Sequence, residues 1–283
     1  MSERADANPF SSTLSVAEFA FATEAQVEPV TAVHGAQVRW LSQALPVPNL
    51  PRNLPKAPVA KVTPVGKLDT EIDCVRREVL GQLTRQAAEA GADAVIGIRQ
   101  VPGVIDWEDM AGGLGRRARS PGPGSPPHLV RGLEYQLIGT AVRDPADRST
   151  HPRLSTLSAA DTWKLRGKGW RTAGIAAACS YQFCIGGGMR AGYVASEIEQ
   201  ATAVWATARQ VAFDRLRKEA TGFGADGVVG LDVQVEHRHF EWERGAWHLD
   251  GLLVGVNLIG TAIIRGDDPE DGLGRVDTII SLR

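Results

Sequence analysis

The pentapeptide Leu-Ile-Gly-Thr-Ala occurs twice in this chain, at residues 137–141 and 258–262, so the fold has to accommodate one unit built two times. Two more blocks recur in the same order upstream. Leu14-Ser15-Val16-Ala17-Glu18 answers to Leu157-Ser158-Ala159-Ala160-Asp161. In each, a serine precedes a carboxylate by three positions, the spacing of a capping box, in which hydroxyl and acid satisfy the free amides of a first helical turn. Short helices are expected from about Val16 and about Ala159, followed by extended segments over residues 28–40 and 171–184.

The remaining block is a long helix. Ile72, Val75, Val79, Leu80, Leu83 and Ala87 recur at helical spacing, as do Ile198, Ala201, Val204, Trp205, Ala208, Val211, Ala212 and Leu216. Each set predicts a single apolar stripe lying on a sheet. The helices end alike, in Ala90-Gly91-Ala92-Asp93 and Phe223-Gly224-Ala225-Asp226, where a glycine can take the left-handed conformation that closes a C-terminus. Short β-branched runs follow, Ala94-Val95-Ile96-Gly97-Ile98 and Gly227-Val228-Val229-Gly230-Leu231. They predict buried strands with a glycine at a bulge or close approach. The last strand of each unit holds the pentapeptide.

The predicted fold class is α+β, in two tandem copies of a small module: short helix, strand, long helix on a small sheet, and a β-hairpin. Residues 1–12 form a tail, 13–143 the first module, 144–154 a linker and 155–283 the second module. A Pro-rich insertion at 45–65 and a Gly/Pro/Ser-rich hairpin loop at 107–130 set the first copy apart, and both are expected to be exposed. A length of 283 residues fits two domains with their own cores. A net charge of −2 lacks the basic excess of a nucleic-acid protein. The apolar runs at 173–188 and 251–264 are interrupted and short of the ~20 residues of a membrane helix, so no membrane insertion is expected. Cys74, Cys179 and Cys184 give no disulfide framework. With no secretory signal at the N-terminus, they point to the cytoplasm.

With these blocks in place, residues 87–97 with Gly139-Thr140-Ala141, and 220–230 with Gly260-Thr261-Ala262, resemble the YbjQ-like family, the heavy-metal-binding domains of bacteria and archaea. The resemblance spans most of the chain outside the loops. It implies a small α+β module that assembles into a ring, pentameric in single-domain relatives, through β contacts between subunits. It brings no fixed ligand motif to carry over. A sheet with one face covered and open edges independently favours homo-oligomerisation.

The chemistry-bearing residues are few. His237, His239 and Glu241 alternate onto one face of a strand, with His248 on the returning strand, a donor set suited to zinc, copper or nickel. The alternative is a solvated hairpin tip. The first copy offers only His128. Cys179 and Cys184, five apart, fall on opposite strand faces and read as buried thiols. Cys74 reads as packed, and His34 as a core or interface histidine. Asp93 and Asp226, repeated at a helix-to-strand turn, read as backbone caps rather than acid–base groups. Gly186, Gly188 and Ala191 fit a loose dinucleotide fingerprint without the second strand it needs, and so predict a connector. Gly167-Lys168-Gly169 lacks phosphate-loop spacing. Trp163, Trp170, Trp242 and Trp247 are candidates for an interface or the core. Arg116, Arg117 and Arg119 offer the 107–130 loop to an acidic protein partner. These features predict a non-enzymatic, self-associating scaffold or binding protein with no cofactor, or a metal-binding or metal-sensing protein using zinc or copper at His237, His239, His248 and Glu241.

Overall fold

The computed structural model describes residues 12–44, 62–101, 128–145, 148–186, 199–244, 247–266 and 280–281. Among these, the first half runs α1 (Val16–Glu24), β1 (Glu28–Ala44), β2 (Thr63–Pro64), α2 (Gly66–Glu89), β3 (Ala94–Gln100) and β4 (His128–Arg143). The second runs β5 (Arg153–Leu154), α3 (Ala159–Arg166), β6 (Trp170–Gly186), α4 (Glu199–Gly222), β7 (Gly227–Arg244), β8 (Trp247–Arg265) and β9 (Ile280–Ser281). The strands form two sheets, ordered β1-β4-β3-β5 and β2-β6-β8-β7-β9, and the class is α+β.

In both halves a short helix, a long strand, a long helix and two paired strands follow one another, with matching irregularities, while β2, β5 and β9 have no counterparts among the described residues. The strand carrying the pentapeptide is central each time, β4 between β1 and β3, and β8 between β6 and β7. The register of the first long strand slips at Pro29/Thr31 and at Thr172/Gly174. That of the strand after the long helix slips at Ile96/Arg99 and Val229/Asp232, where Gly97 and Gly230 have φ of 62° and 58°. A left-handed residue is what a bulge of this kind demands, so the glycines are placed by backbone geometry. The pentapeptide's own glycine has a packing reason. A Cβ on Gly139 or Gly260 would come within 2.7 Å of Val95 Cγ1 or Val228 Cγ1 on the adjacent strand.

Packing runs in four layers: first sheet, α2, second sheet, α4. One core joins Val75, Val79, Leu83 and Ala87 of α2 to Val33, Val95, Leu137 and Ala141 of the first sheet, and also to Ile175, Ala177 and Ile259 of the second. The buried residues of α2 are those of the stripe its sequence predicts, and that one stripe is shared between the two sheets. A second core sets Val204, Ala208, Ala212, Leu216 and Ala220 of α4 on Ala176, Ala178, Val254, Val256 and Leu258. The alternation along β6 and β8 thus buries both faces of the second sheet. Trp205, expected in the α4 stripe, is instead 36% exposed at its margin.

Two segments expected to be exposed connectors end in ordered structure. Of the Pro-rich stretch 45–65, Thr63–Pro64 pairs with Phe183 and Gln182 as β2, and Val65 is buried with its amide on Tyr181 O. Pro64 is tolerated there because β2 is an edge strand. Of the linker 144–154, Arg153–Leu154 pairs in parallel with Ala94 and Val95, and Asp144 is buried against Arg166. The loop expected at 107–130 gives up residues 128–130 to β4, and the rest, with Arg116, Arg117 and Arg119, lies outside the described residues. So does the connector holding Gly188 and Ala191.

Candidate functional site

Three places bring polar side chains together. The first is a hydroxyl knot, present in each half. Thr140 Oγ1 bonds the Thr13 amide at 3.0 Å, Thr13 Oγ1 at 2.9 Å and Ser12 Oγ at 3.2 Å. Thr261 Oγ1 bonds the Thr156 amide at 2.8 Å, Thr156 Oγ1 at 2.8 Å and Ser155 Oγ at 3.2 Å. Ser12 and Ser155 each then accept the amide two residues on, at 3.1 Å. These hydroxyls are mutually satisfied and anchor the segment leading into α1 or α3. The signal for them was in the sequence: Ser-Thr-Leu-Ser is identical at 12–15 and 155–158, but only its last two residues were matched.

The helix starts behave as expected, with a difference of reach. Glu18 accepts the Ser15 amide at 2.8 Å while Ser15 accepts the Glu18 amide at 3.2 Å, a reciprocal capping box. Asp161, one methylene shorter, takes the Ser158 hydroxyl at 2.8 Å instead. Asp93 and Asp226 cap backbone, accepting the amides of Asp144 and Arg265 at 3.0 and 2.9 Å.

The second place is the strand edges. On β1, Gln86 both donates to and accepts from the His34 backbone, and Gln82 does the same at Ala36. On β6, Arg215 of α4 donates to Cys179 O at 2.7 Å, and Arg76 of α2 to Ala177 O at 2.9 Å. Asp69 of α2 accepts the Tyr181 amide at 2.7 Å and pairs with Arg215 at 2.6 Å. Burial raises the Asp69 carboxyl above its ordinary value, and Arg215 and the Tyr181 amide pull it back. Burial likewise raises Glu219 and the thiols of Cys179 and Cys184, and pushes the Tyr135 phenol up to about 12. These groups close edges that would otherwise present unpaired amides and carbonyls. They also remove part of the open-edge case for oligomerisation. Cys179 and Cys184 are buried on opposite faces, as expected. Cys74 is partly exposed on α2, 3.5 Å from Arg39. His34 is exposed, so of the two expectations it is not a core residue, because strand alternation turns it to the outer face of the first sheet.

The third place is the β7–β8 hairpin. Beyond Val229, β7 has no neighbouring strand on its outer side among the described residues, since β9 pairs only with Gly227 and Val228. Val233 and Val235 are 46% and 44% exposed there, in line with exposed His237 and His239. The His237 ring lies 6.0 Å from that of Trp205. Register places His237 opposite Val254, His239 opposite Leu252, Glu241 opposite Asp250 and His248 opposite Glu243. Register thus sets His248 opposite a position four residues beyond His239 on β7, roughly 13 Å of strand. The side chains of Glu241 and His248 lie outside the described residues, as do those of His128, Trp242 and Trp247. Among the described residues no group of three or more His, Cys, Asp or Glu could hold a metal ion. Among the described residues the hairpin thus offers two exposed imidazoles, two apart on one strand.

Of the remaining aromatics, Trp163 is 40% exposed and meets Phe21 edge-on at 5.6 Å, and Trp170 packs beside Leu157 and Ile263. A small cleft between the halves, lined by Trp163, Arg153, Ser155 and Thr162, is crossed by the Arg166–Asp144 ion pair. Among the described residues no helix is long and apolar enough to cross a membrane.

Residues 185–265, which include α4, β7 and β8, match the model of the YbjQ-like family, described as "Putative heavy-metal-binding". His237, His239, Glu241 and His248 all lie within the matched stretch. No curated protein and no solved structure matches the chain.

Proposed function

We propose that this is a non-enzymatic binding protein, formed from two tandem copies of a YbjQ-like module fused through α2, which self-associates along the free edge of β7. The observation that carries this reading is the outer edge of β7, along which no described strand pairs beyond Val228 and on which Val233 and Val235 are exposed. A sheet edge that no described strand covers is suited to strand addition. The matched hydroxyl knots, bulges and helix ends support the tandem reading. The non-enzymatic reading rests on where the ionisable groups go: Asp69, Arg76, Arg215 and Glu219 are engaged at strand edges rather than gathered around a cleft.

Native mass spectrometry and sedimentation at micromolar concentration test it. A discrete multimer is expected, reduced to monomer by Val233→Lys with Val235→Lys. A wild-type chain that stays monomeric overturns the reading.

A second reading, metal binding or sensing at the hairpin, is favoured by exposed His237 and His239 on successive same-face positions inside the matched stretch. It expects tight zinc or copper uptake that His237→Ala with His239→Ala abolishes. Unchanged uptake would end it.

A further inference from the structure

The strand after each long helix has its outer edge occupied at the same place, by a different strand in each half. On β3 the occupant is β5, with Arg153 opposite Ala94 and Leu154 opposite Val95. On β7 it is β9, with Ser281 opposite Gly227 and Ile280 opposite Val228. Ala94 and Val95 stand to the bulge glycine Gly97 as Gly227 and Val228 stand to Gly230. We infer that β9 is an autoinhibitory cap, closing on β7 the edge through which, on β3, one half receives the next.

What that edge does when open is visible inside the chain. β5 runs parallel to β3 and carries the chain on into the second half. Four backbone hydrogen bonds hold the segment there: the amides of Arg153 and Ser155 donate to Asp93 O and Val95 O at 3.0 and 2.8 Å, and those of Ile98 and Gly97 to Ser155 O and Leu157 O at 3.0 and 2.8 Å. With its backbone so engaged, the segment turns its hydroxyls the other way, and Ser155 and Thr156 close the knot on Thr261. Residues 155–158 therefore have a backbone side for the preceding half and a hydroxyl side for their own.

The first half starts with the same segment. Ser12-Thr13-Leu14-Ser15 repeats Ser155-Thr156-Leu157-Ser158, and its hydroxyl side is engaged in the same way, on Thr140. Among the described residues no strand pairs with its backbone side. On β7, Asp226, Val228, Gly230 and Leu231 take the places of Asp93, Val95, Gly97 and Ile98. Segment 12–15 of a second copy is thus the occupant that this edge matches.

β9 excludes it, because one edge of a strand pairs with one strand at a time. Running antiparallel to β7, β9 covers the edge without reproducing the parallel joint. The joint it prevents is head-to-tail, and such a joint repeats from copy to copy as a ring or an open filament. The cap lies on Gly227 and Val228, whereas self-association was placed further along β7, so either can hold without the other.

The test keeps the full chain and breaks the cap with Ile280→Pro and Ser281→Pro together, which removes both amides of β9 from the ladder. Trimming the chain after Gly266 should give the same result by a second route. Hydrogen exchange at the Val228 amide reads the cap, and sedimentation velocity reads its consequence. In dilute solution Val228 should exchange faster in the double variant than in wild type. As concentration rises, the double variant should shift to larger sedimentation coefficients than wild type, and Val228 should regain its protection. Adding Ser12→Pro, which removes the amide matching that of Ser155, should return the variant to wild-type size. Equal exchange and equal size in wild type and the double variant would show that β9 caps nothing. Faster exchange with no growth at any concentration, or growth that survives Ser12→Pro, overturns segment 12–15 as the excluded occupant. A wild type that is monomeric, and grows only when uncapped, supports the cap while ending the self-association reading.

Discussion

The back faces of the two sheets, each the face turned away from the sheet's own long helix, have the same register and opposite fates. In the second sheet, Ala177, Cys179 and Tyr181 stand opposite Ile259, Asn257 and Gly255, and the face is buried where α2 meets it. In the first sheet the corresponding places are His34, Ala36 and Val38, opposite Ile138, Gln136 and Glu134. There the β1 residues are exposed and those of β4 only half-buried. The difference shows that the two units are stacked front to back, and that the stack has a polar end. Helix α2 serves both sheets, while no helix lies behind the middle of the first among the described residues. Association by further stacking on that face would bury His34, Gln136 and Glu134, which is costly for polar groups without matched partners. Strand addition along the outer edge of β7 buries no such face, which is why we place self-association there.

Exchanging one residue between the faces gives the largest expected effect. Tyr181 is 1% exposed and occupies the register position that Val38, 50% exposed, holds in the first sheet. Tyr181→Val removes a buried ring and should cost about 3 kcal/mol, by the usual cost of large-to-small core changes. Val38→Tyr should stay within about 0.5 kcal/mol, as a surface change does. Urea unfolding midpoints measure both. Equal, small effects would mean that α2 does not cover the second sheet in solution.

Much of this arrangement was legible in the chain. Helix ends, bulge glycines and capping serines are local devices, and each was placed correctly because a few neighbouring residues dictate it. The covered back face also left a trace. Residues 173–179 are small or apolar at successive positions, the pattern of a strand buried on both sides. Whether His34 lay in the core was not legible, because alternation gives two faces but not which one a distant helix will cover. The Pro-rich stretch misled for a similar reason, since its end is ordered by pairing with Phe183 and Gln182, far along the chain. That His237 and His239 share a strand face was legible. Where His248 falls was not, because the register that sets it opposite Glu243 depends on the full hairpin.

A smaller effect is expected where the Tyr181 ring meets its opposing strand. A Cβ on Gly255 would lie 2.2 Å from Tyr181 Cε1 and 2.6 Å from Cζ. Gly255→Ala should therefore cost about 1–3 kcal/mol, the range for overpacking a closed core. The same place in the first sheet holds Glu134, whose Oε2 is buried without a partner. Glu134→Ala should be neutral or slightly stabilising, because it relieves that unpaired oxygen. Combining Gly255→Ala with Tyr181→Val should cost less than the sum, since the second change removes the ring that the first one strikes. Strict additivity would show that Tyr181 does not lie over β8.

The finest probe of the same boundary is its dependence on pH. Asp69 ties α2 to the edge of the second sheet, with Arg215 paired to it and Asp73 and Cys179 nearby. Its carboxyl binds a proton more tightly in the native state than in the unfolded chain, because burial penalises the charge. In the window between the unfolded and native values, the native state holds more protons, so stability falls as pH rises through it. Asn at this position keeps an oxygen for the Tyr181 amide but cannot titrate. Measured against Asp69→Asn, the wild-type protein should therefore lose stability as pH climbs from the ordinary carboxylate range to the raised Asp69 value. Glu219 shifts in the same direction and is common to both proteins, so it drops out of the difference. Thr202, at the matching place on α4, is exposed with no sheet behind it among the described residues, and Thr202→Val should leave the pH profile unchanged. A difference between wild type and Asp69→Asn that rises with pH would mean that pairing with Arg215 outweighs burial. The contact between α2 and the second sheet would then be held by charge rather than strained by it.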